Sequence, residues 1–139
     1  MKQEEGMKPA QPGAPVETAA TSTEAGGSFV VNLDRIYFDF DKFDITAPSR
    51  ETLAKDAGII KANPGVKVVI EGHCDERGTS EYNLALGERR ASAAKKYLVS
   101  LGVDESRLYT ISYGEEKPAD AGHNEAAWAK NRRVQYSQE

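Results

Sequence analysis

The residues able to do chemistry are concentrated in one stretch, GHCDERGTSEYNLALGERRA (72–91), which holds the chain's only cysteine, one of its two histidines, and interleaved acids and arginines. Three chemistries compete for it: a Cys/His catalytic pair, a metal site, and a pocket that grips a charged ligand. The catalytic pair fails on geometry. His73 and Cys74 are neighbours in a strand-like run, and neighbouring strand residues project to opposite faces. His123 could approach instead, but Cys74 alternates with Val68 and Ile70, the pattern of a small buried hydrophobe. A metal site is weaker still, because two His and one Cys with neither a CxxC nor an i, i+4 spacing fall short of a zinc set. Asp and Glu could complete one, but nothing in the spacing requires it. No catalytic residue, metal or cofactor is therefore expected.

The elements that must position this stretch sharpen the third reading. VKVVIEGHC alternates strictly, with Val66, Val68, Ile70, Gly72 and Cys74 on one face, and reads as a strand. After the polar DERGTS loop, Thr79 or Ser80 caps a helix that runs to about Leu101 and stops at Gly102. At helical spacing Tyr82, Leu86, Ala93, Tyr97 and Leu101 form the expected core-facing stripe, and Arg90 falls inside it. Arg89 lies at its edge and Glu88 points away. A guanidinium on a core-facing stripe needs an anionic partner, because burying it unpaired costs several kcal/mol. Asp75, at the end of the preceding strand, is the nearest candidate.

Two readings of Asp75 and Arg90 stand at this point. They form a structural salt bridge, or they present opposite charges to a zwitterionic ligand, with the ligand ammonium on Asp75 and its carboxylate bidentate on Arg90. Open sheets favour ligand sites outside the carboxyl ends of strands, where Asp75 sits. Asn83, in the first helical turn, could fix the loop or touch the ligand with its amide.

The rest of the chain supplies the scaffold. Val31, Leu33, Ile36, Phe38 and Phe40 suggest a first strand with an irregularity near Asp34 and Arg35, followed by an exposed acidic loop from Asp39 to Asp44. Thr46 caps a first helix with Pro48 in its first turn, and Leu53, Ala54, Ala57, Ile60 and Lys61 recur at helical spacing until Asn63, Pro64 and Gly65 stop it. LYTISYG reads as a third strand, NEAAWAK as one or two helical turns, and RRVQYS as a fourth strand. The expected fold is α+β, in the order β-α-β-α-β-(α)-β, with two main helices on a small mixed four-stranded sheet.

Residues 1–28, rich in Pro, Ala, Gly, Thr and Glu with no aromatic residue, are expected to be a disordered tether, and residues 29–139 the folded domain. A net charge of −4 argues against a nucleic-acid backbone as partner. No apolar run approaches the roughly 20 residues that span a bilayer, and a single cysteine excludes an internal disulfide framework.

IYFDFDKFDI, VVIEGHCDERGTSEYNLALGERRA, ISYGEEKP and GHNEAAWAKNRRV resemble, in order and spacing, the OmpA-like peptidoglycan-binding domain family. The LGERRA, YGEEKP and GHNEAAWAKNRR forms look like its lipoprotein branch more than its porin tails or flagellar stators. The resemblance implies a non-enzymatic domain that holds the peptidoglycan stem peptide noncovalently at meso-diaminopimelate. Within the family, the Asp of the G-[HN]-T-D motif and the Arg of L-x-x-x-R-A hold that residue's ammonium and carboxylate, which maps onto Asp75 and Arg90. It further implies roles for Asp39 and Asn83, and supporting roles for Cys74, Glu76 and Arg132 within the Asn131–Arg133 segment.

Cys74 stands where the family usually has Thr, which removes a hydroxyl beside the ligand. The family's lipid-bearing cysteine is not among these residues. An outer-membrane lipid anchor facing the periplasm, with partners in the Tol system, notably TolB, and roles in envelope integrity and cell division, is what the resemblance implies. A tether of this length would reach on the order of 30 Å as a coil and roughly 90 Å stretched.

Overall fold

The computed structural model describes residues 32–138. The expected tether, and the start of the first strand through Val31, lie outside the described residues. In order, the elements are β1 (Ile36–Tyr37), α1 (Ala47–Lys61), β2 (Val68–His73), α2 (Ser80–Ser100), a short 3-10 turn (Glu105–Arg107), β3 (Leu108–Gly114), α3 (Glu125–Asn131) and β4 (Arg133–Gln138). The element order matches the sequence expectation throughout. Its caps do too: Thr46 accepts from Ser49 N, Thr79 accepts from Tyr82 N, and Gly65 and Gly102 follow the two long helices at positive φ.

The sheet order is β1-β4-β2-β3. β2 and β3 are parallel, as a helical crossover through α2 requires, whereas β4 runs antiparallel to both β1 and β2. The last strand therefore fills the centre of the sheet and separates β1 from β2. No sequence pattern announced this, because the VQYS alternation suits an inner or an outer strand equally.

β1 is shorter than expected. Only Ile36 and Tyr37 pair with β4, although Leu33, Ile36 and Phe38 are all buried. Phe40, expected to continue the strand, is half exposed and belongs to the loop. One sheet face carries both long helices, and the core between them gathers Leu53, Ala57 and Ile60 from α1, Ala91, Ala94 and Leu98 from α2, and Val68, Ile70, Leu108 and Val134 from the sheet. Each large aliphatic chain buried there contributes about 1.5–3 kcal/mol.

The face of α2 differs from the expected stripe. Its buried residues are Asn83, Leu86, Gly87, Arg90, Ala91, Ala94 and Leu98, while Tyr82 is 46% exposed and Tyr97 only borders the core. Large apolar residues pull a periodicity estimate toward themselves, but small ones allow close approach. At Gly87 the helix backbone lies so near Gly72 of β2 that a Cβ on Gly72 would stand 1.8 Å from the Gly87 carbonyl oxygen. This contact sets the depth of α2, and Arg90 lies one turn further along the seated face.

Candidate functional site

β2 ends where its pairing with β3 slips by a residue: His73 pairs with Gly114, and Cys74 N donates to Gly114 O at 2.9 Å. The chain then turns through Asp75–Gly78 into α2, with Gly78 at φ 100°. Asn83 holds this loop from beneath. Its buried Nδ2 donates to Asp75 O (3.4 Å), Arg77 O (3.0 Å) and Glu115 Oε1 (2.5 Å). Of the two duties open to Asn83, fixing the loop is the one these contacts perform.

Arg90 is 1% exposed and lies against Phe38, its guanidinium carbon 5.1 Å from the ring centre. Nε donates to Lys42 O (2.8 Å), Nη1 to His73 O (2.9 Å) and Nη2 to Asp39 O (3.1 Å). All three acceptors are neutral backbone carbonyls, and among the described residues no carboxylate forms an ion pair with Arg90. Burial, the dominant influence, depresses its pKa. The structural salt bridge to Asp75, one of the two readings of this pair, is not formed.

Asp75, 4% exposed, is committed elsewhere. Arg77 grips it in a fork, with Nη2 to Oδ2 at 2.9 Å and Nε to Oδ1 at 3.2 Å, while the Arg77 backbone N–H also reaches Oδ1 at 3.0 Å. Arg132 Nη1 stands 3.5 Å from Oδ2. Burial pushes the Asp75 pKa up, but these hydrogen bonds outweigh it and hold the carboxyl below its ordinary range. Arg77 is itself stacked between the rings of Phe40 (3.9 Å) and Trp128 (4.2 Å).

Around these groups lies a cleft of about 200 Å³, lined by Phe40, Asp41, Cys74, Asp75, Arg77, Gly78, Tyr82, Asn83, Leu86 and Arg90. Asp75, Asn83, Cys74 and Arg90 are thus brought together. Asp39 is placed differently: its carbonyl serves Arg90, but the residue lines a second cleft, and Asp41, which bonds the Tyr82 hydroxyl, stands at the first.

Cys74 is buried, its thiol donates to Asn83 O at 3.2 Å, and burial pushes its pKa up to about 11. On the opposite sheet face His73 stacks on Tyr113 and meets Glu71 at 3.1 Å. The two neighbours diverge as strand geometry dictates.

Glu76 acts as a clasp, meeting His123 Nδ1 at 2.7 Å and accepting from Trp128 Nε1 at 2.9 Å, which ties the Asp75 loop to α3. In the Asn131–Arg133 segment the three residues have separate duties. Asn131 holds the loop before α3 through Ala119 N (2.7 Å), Asp120 N (3.0 Å) and Asp120 O (2.8 Å). Arg132 ties Phe38 O (2.8 Å) and Glu125 (2.9 Å) to the Asp75 side. Arg133 points to the other sheet face and donates to Lys117 O at 3.0 Å. Among the described residues no group of three His, Cys, Asp or Glu side chains is placed to hold a metal ion.

Arg77, Phe40, Trp128, Tyr82 and Asp41 are given no site role by the sequence. There Phe40 falls in the first strand, Tyr82 on the core-facing stripe of α2 and Asp41 in the acidic loop, and only tertiary contact brings the five to the cleft and its rim.

A four-stranded mixed sheet with both long helices on one face, and a buried arginine and acid at the mouth of β2, define the class. Residues 37–132 match the model described as OmpA family, and the chain belongs to that family. It is 54% identical over 113 residues to the peptidoglycan-associated lipoprotein of Haemophilus influenzae, a match covering 78% of this chain and 74% of that one. With the Mesorhizobium japonicum protein of the same name it shares 49% over 116 residues, 83% of this chain and 69% of the relative. The crystal structure of the peptidoglycan-associated lipoprotein from Burkholderia pseudomallei superposes with a TM-score of 0.73 at 43% identity, covering 76% of this chain and 89% of that one. The C-terminal domain of Helicobacter pylori MotB shares the fold, with a TM-score of 0.72 at 24% identity over 78% of this chain and 85% of that one.

Proposed function

We propose that this chain is a non-enzymatic binding module that holds peptidoglycan through the zwitterion of meso-diaminopimelate, linking an outer-membrane lipid anchor to the cell wall from the periplasmic side. OmpA family membership and the names of its relatives support the polymer as ligand. The observation that carries the chemistry is Arg90: a buried guanidinium satisfied by three carbonyls and paired with no acid among the described residues. A buried charge of this kind lacks a counter-ion, and a ligand carboxylate supplies one at the wall of a cleft.

Asp75, at the same cleft, offers the acceptor for the ligand ammonium. A ligand with only one of the two charges leaves the other site unsatisfied, which gives selectivity. The Tol proteins, TolB among them, are the proposed protein partners in supporting envelope integrity and division. A hydrolase using Cys74 runs against a buried thiol whose pKa is pushed up to about 11.

The test is co-sedimentation with purified peptidoglycan, with circular dichroism confirming each fold. Wild type should pellet and Asp75→Ala and Arg90→Ala should remain in solution. Pelleting of both variants like wild type would overturn the assignment. NMR titration with diaminopimelate-type and lysine-type stem peptides should favour the former, and equal shifts would contradict the zwitterion.

A further inference from the structure

The second cleft is larger, about 590 Å³, and runs along β1 and the first turns of α1 to α3. Two exposed cations line it. Arg35 has no ion-pair partner among the described residues, and Lys130 has only a surface contact with Asp120 at 3.6 Å. Tyr37, 47% exposed, offers an open aromatic ring beside them, and Asp39 is the single acid among the described lining residues. The balance of charge favours an anion.

The two clefts are adjacent. Arg132 lines the second while its Nη1 stands 3.5 Å from Asp75 in the first. One segment supplies both walls, with Phe38 and Asp39 facing the second cleft and Phe40 and Asp41 the first. Successive residues of an extended chain advance about 3.3–3.8 Å. A peptide seated in the first cleft can therefore extend within a residue or two along the wall that Arg132 shares with the second.

We propose that the second cleft is a subsite for another free carboxylate of the same stem peptide, received by Arg35 and Lys130. This rests on the diaminopimelate reading above and extends it from one residue to a peptide. Outside diaminopimelate itself, two carboxylates have the required chemistry: that of the glutamate preceding it and that of the terminal alanine following it. Both cations are exposed, so each adds modestly and the contribution falls with salt.

The experiment is an amide NMR titration of wild type and of the Arg35→Glu/Lys130→Glu double variant. Its ligands are free meso-diaminopimelate, the stem tripeptide ending in diaminopimelate, the tetrapeptide ending in alanine, and both peptides with the glutamate carboxylate amidated. Free diaminopimelate should shift Gly78 and Asn83 alone, while a peptide bearing the received carboxylate should also shift Tyr37 and Thr52. The double variant should bind that peptide roughly tenfold more weakly, with affinity for free diaminopimelate unchanged. Loss on amidation identifies the glutamate carboxylate, and a gain only in the tetrapeptide identifies the alanine. Peptide-induced shifts confined to the first cleft, or undiminished peptide binding by the double variant, would overturn the subsite and leave the diaminopimelate reading intact. Silence in both clefts would overturn both.

Discussion

Asp75 is held by Arg77, not by Arg90: the Arg77 fork closes on its carboxylate at 2.9 and 3.2 Å, whereas Arg90, among the described residues, bonds only backbone carbonyls. The acid proposed for a ligand ammonium is thus already occupied by an internal cation, one clamped between Phe40 and Trp128. An incoming ammonium must share Asp75 with that guanidinium or displace it. Arg77→Ala should therefore bind a diaminopimelate stem peptide more tightly, by roughly two- to fivefold for a pair whose acid is buried but whose arginine is about a third exposed. Isothermal titration measures it, and weaker binding would place Arg77 among the ligand's own contacts.

Arg90→Lys keeps the charge and loses the fork. One ammonium cannot reach three carbonyls spread around a planar guanidinium and also meet a carboxylate bidentately. Binding should fall more than tenfold, while the fold survives with a loss of about 1–3 kcal/mol from poorly satisfied carbonyls. Chemical denaturation and titration on the same sample separate the two effects. A lysine variant that binds like wild type would mean that charge alone is recognised.

How much of this was legible in the sequence depends on which physical signal each residue leaves. Thr46, Thr79 and Gly102 announce helix ends through local chemistry, and the strict alternation in VVIEGHC correctly sends His73 and Cys74 to opposite faces. Arg90 was detectable because a charge on an apolar stripe is anomalous. Its contacts were not, since Lys42 O, His73 O and Asp39 O come from segments 17 to 51 residues away. The face of α2 was misjudged because the large rings of Tyr82 and Tyr97 draw the stripe toward themselves, whereas Gly87, which lets the helix approach, has no side chain to mark the buried face. The central position of β4 and the shared wall at Arg132 are properties of topology, to which local spacing is blind.

That approach of Gly87 to Gly72 gives a stability prediction. A Cβ on Gly72 meets backbone at 1.8 Å, and one on Gly87 meets Ser112 Oγ at 2.2 Å and Gly72 O at 2.9 Å. Backbone cannot rotate away as a side chain can. Gly72→Ala should prevent stable folding, and Gly87→Ala should cost about 1–3 kcal/mol or more while dragging Arg90 off its acceptors. Gly58, in α1 with nothing within 4 Å of its Cβ position, is the control: Gly58→Ala should stabilise by about 0.5–1 kcal/mol. Thermal melts of the three variants test this, and equal effects at positions 58 and 72 would contradict the close contact.

Asp56 should make stability depend on mild acid. It is fully buried, and burial pushes its carboxyl up to about 6, partly offset by the hydrogen bond it accepts from Asp34 N at 3.0 Å. The folded protein then takes up this proton near pH 6, while the unfolded chain takes it up only near pH 4. Between those values the native state binds more protons, so this group's contribution to stability declines as pH rises and is lowest above about pH 6. His73 acts oppositely below its ordinary pKa, since burial keeps its folded form neutral while the unfolded imidazole protonates. The two partly cancel in the wild-type profile. Asp56→Asn keeps an acceptor for Asp34 N and removes the titration. It should therefore gain stability over wild type at pH 7, by about 1–3 kcal/mol, with the advantage vanishing toward pH 4. Urea denaturation of both proteins at half-unit steps from pH 4 to 7 measures the difference directly. A constant offset across that range would show that Asp56 does not change its protonation between the folded and unfolded states there.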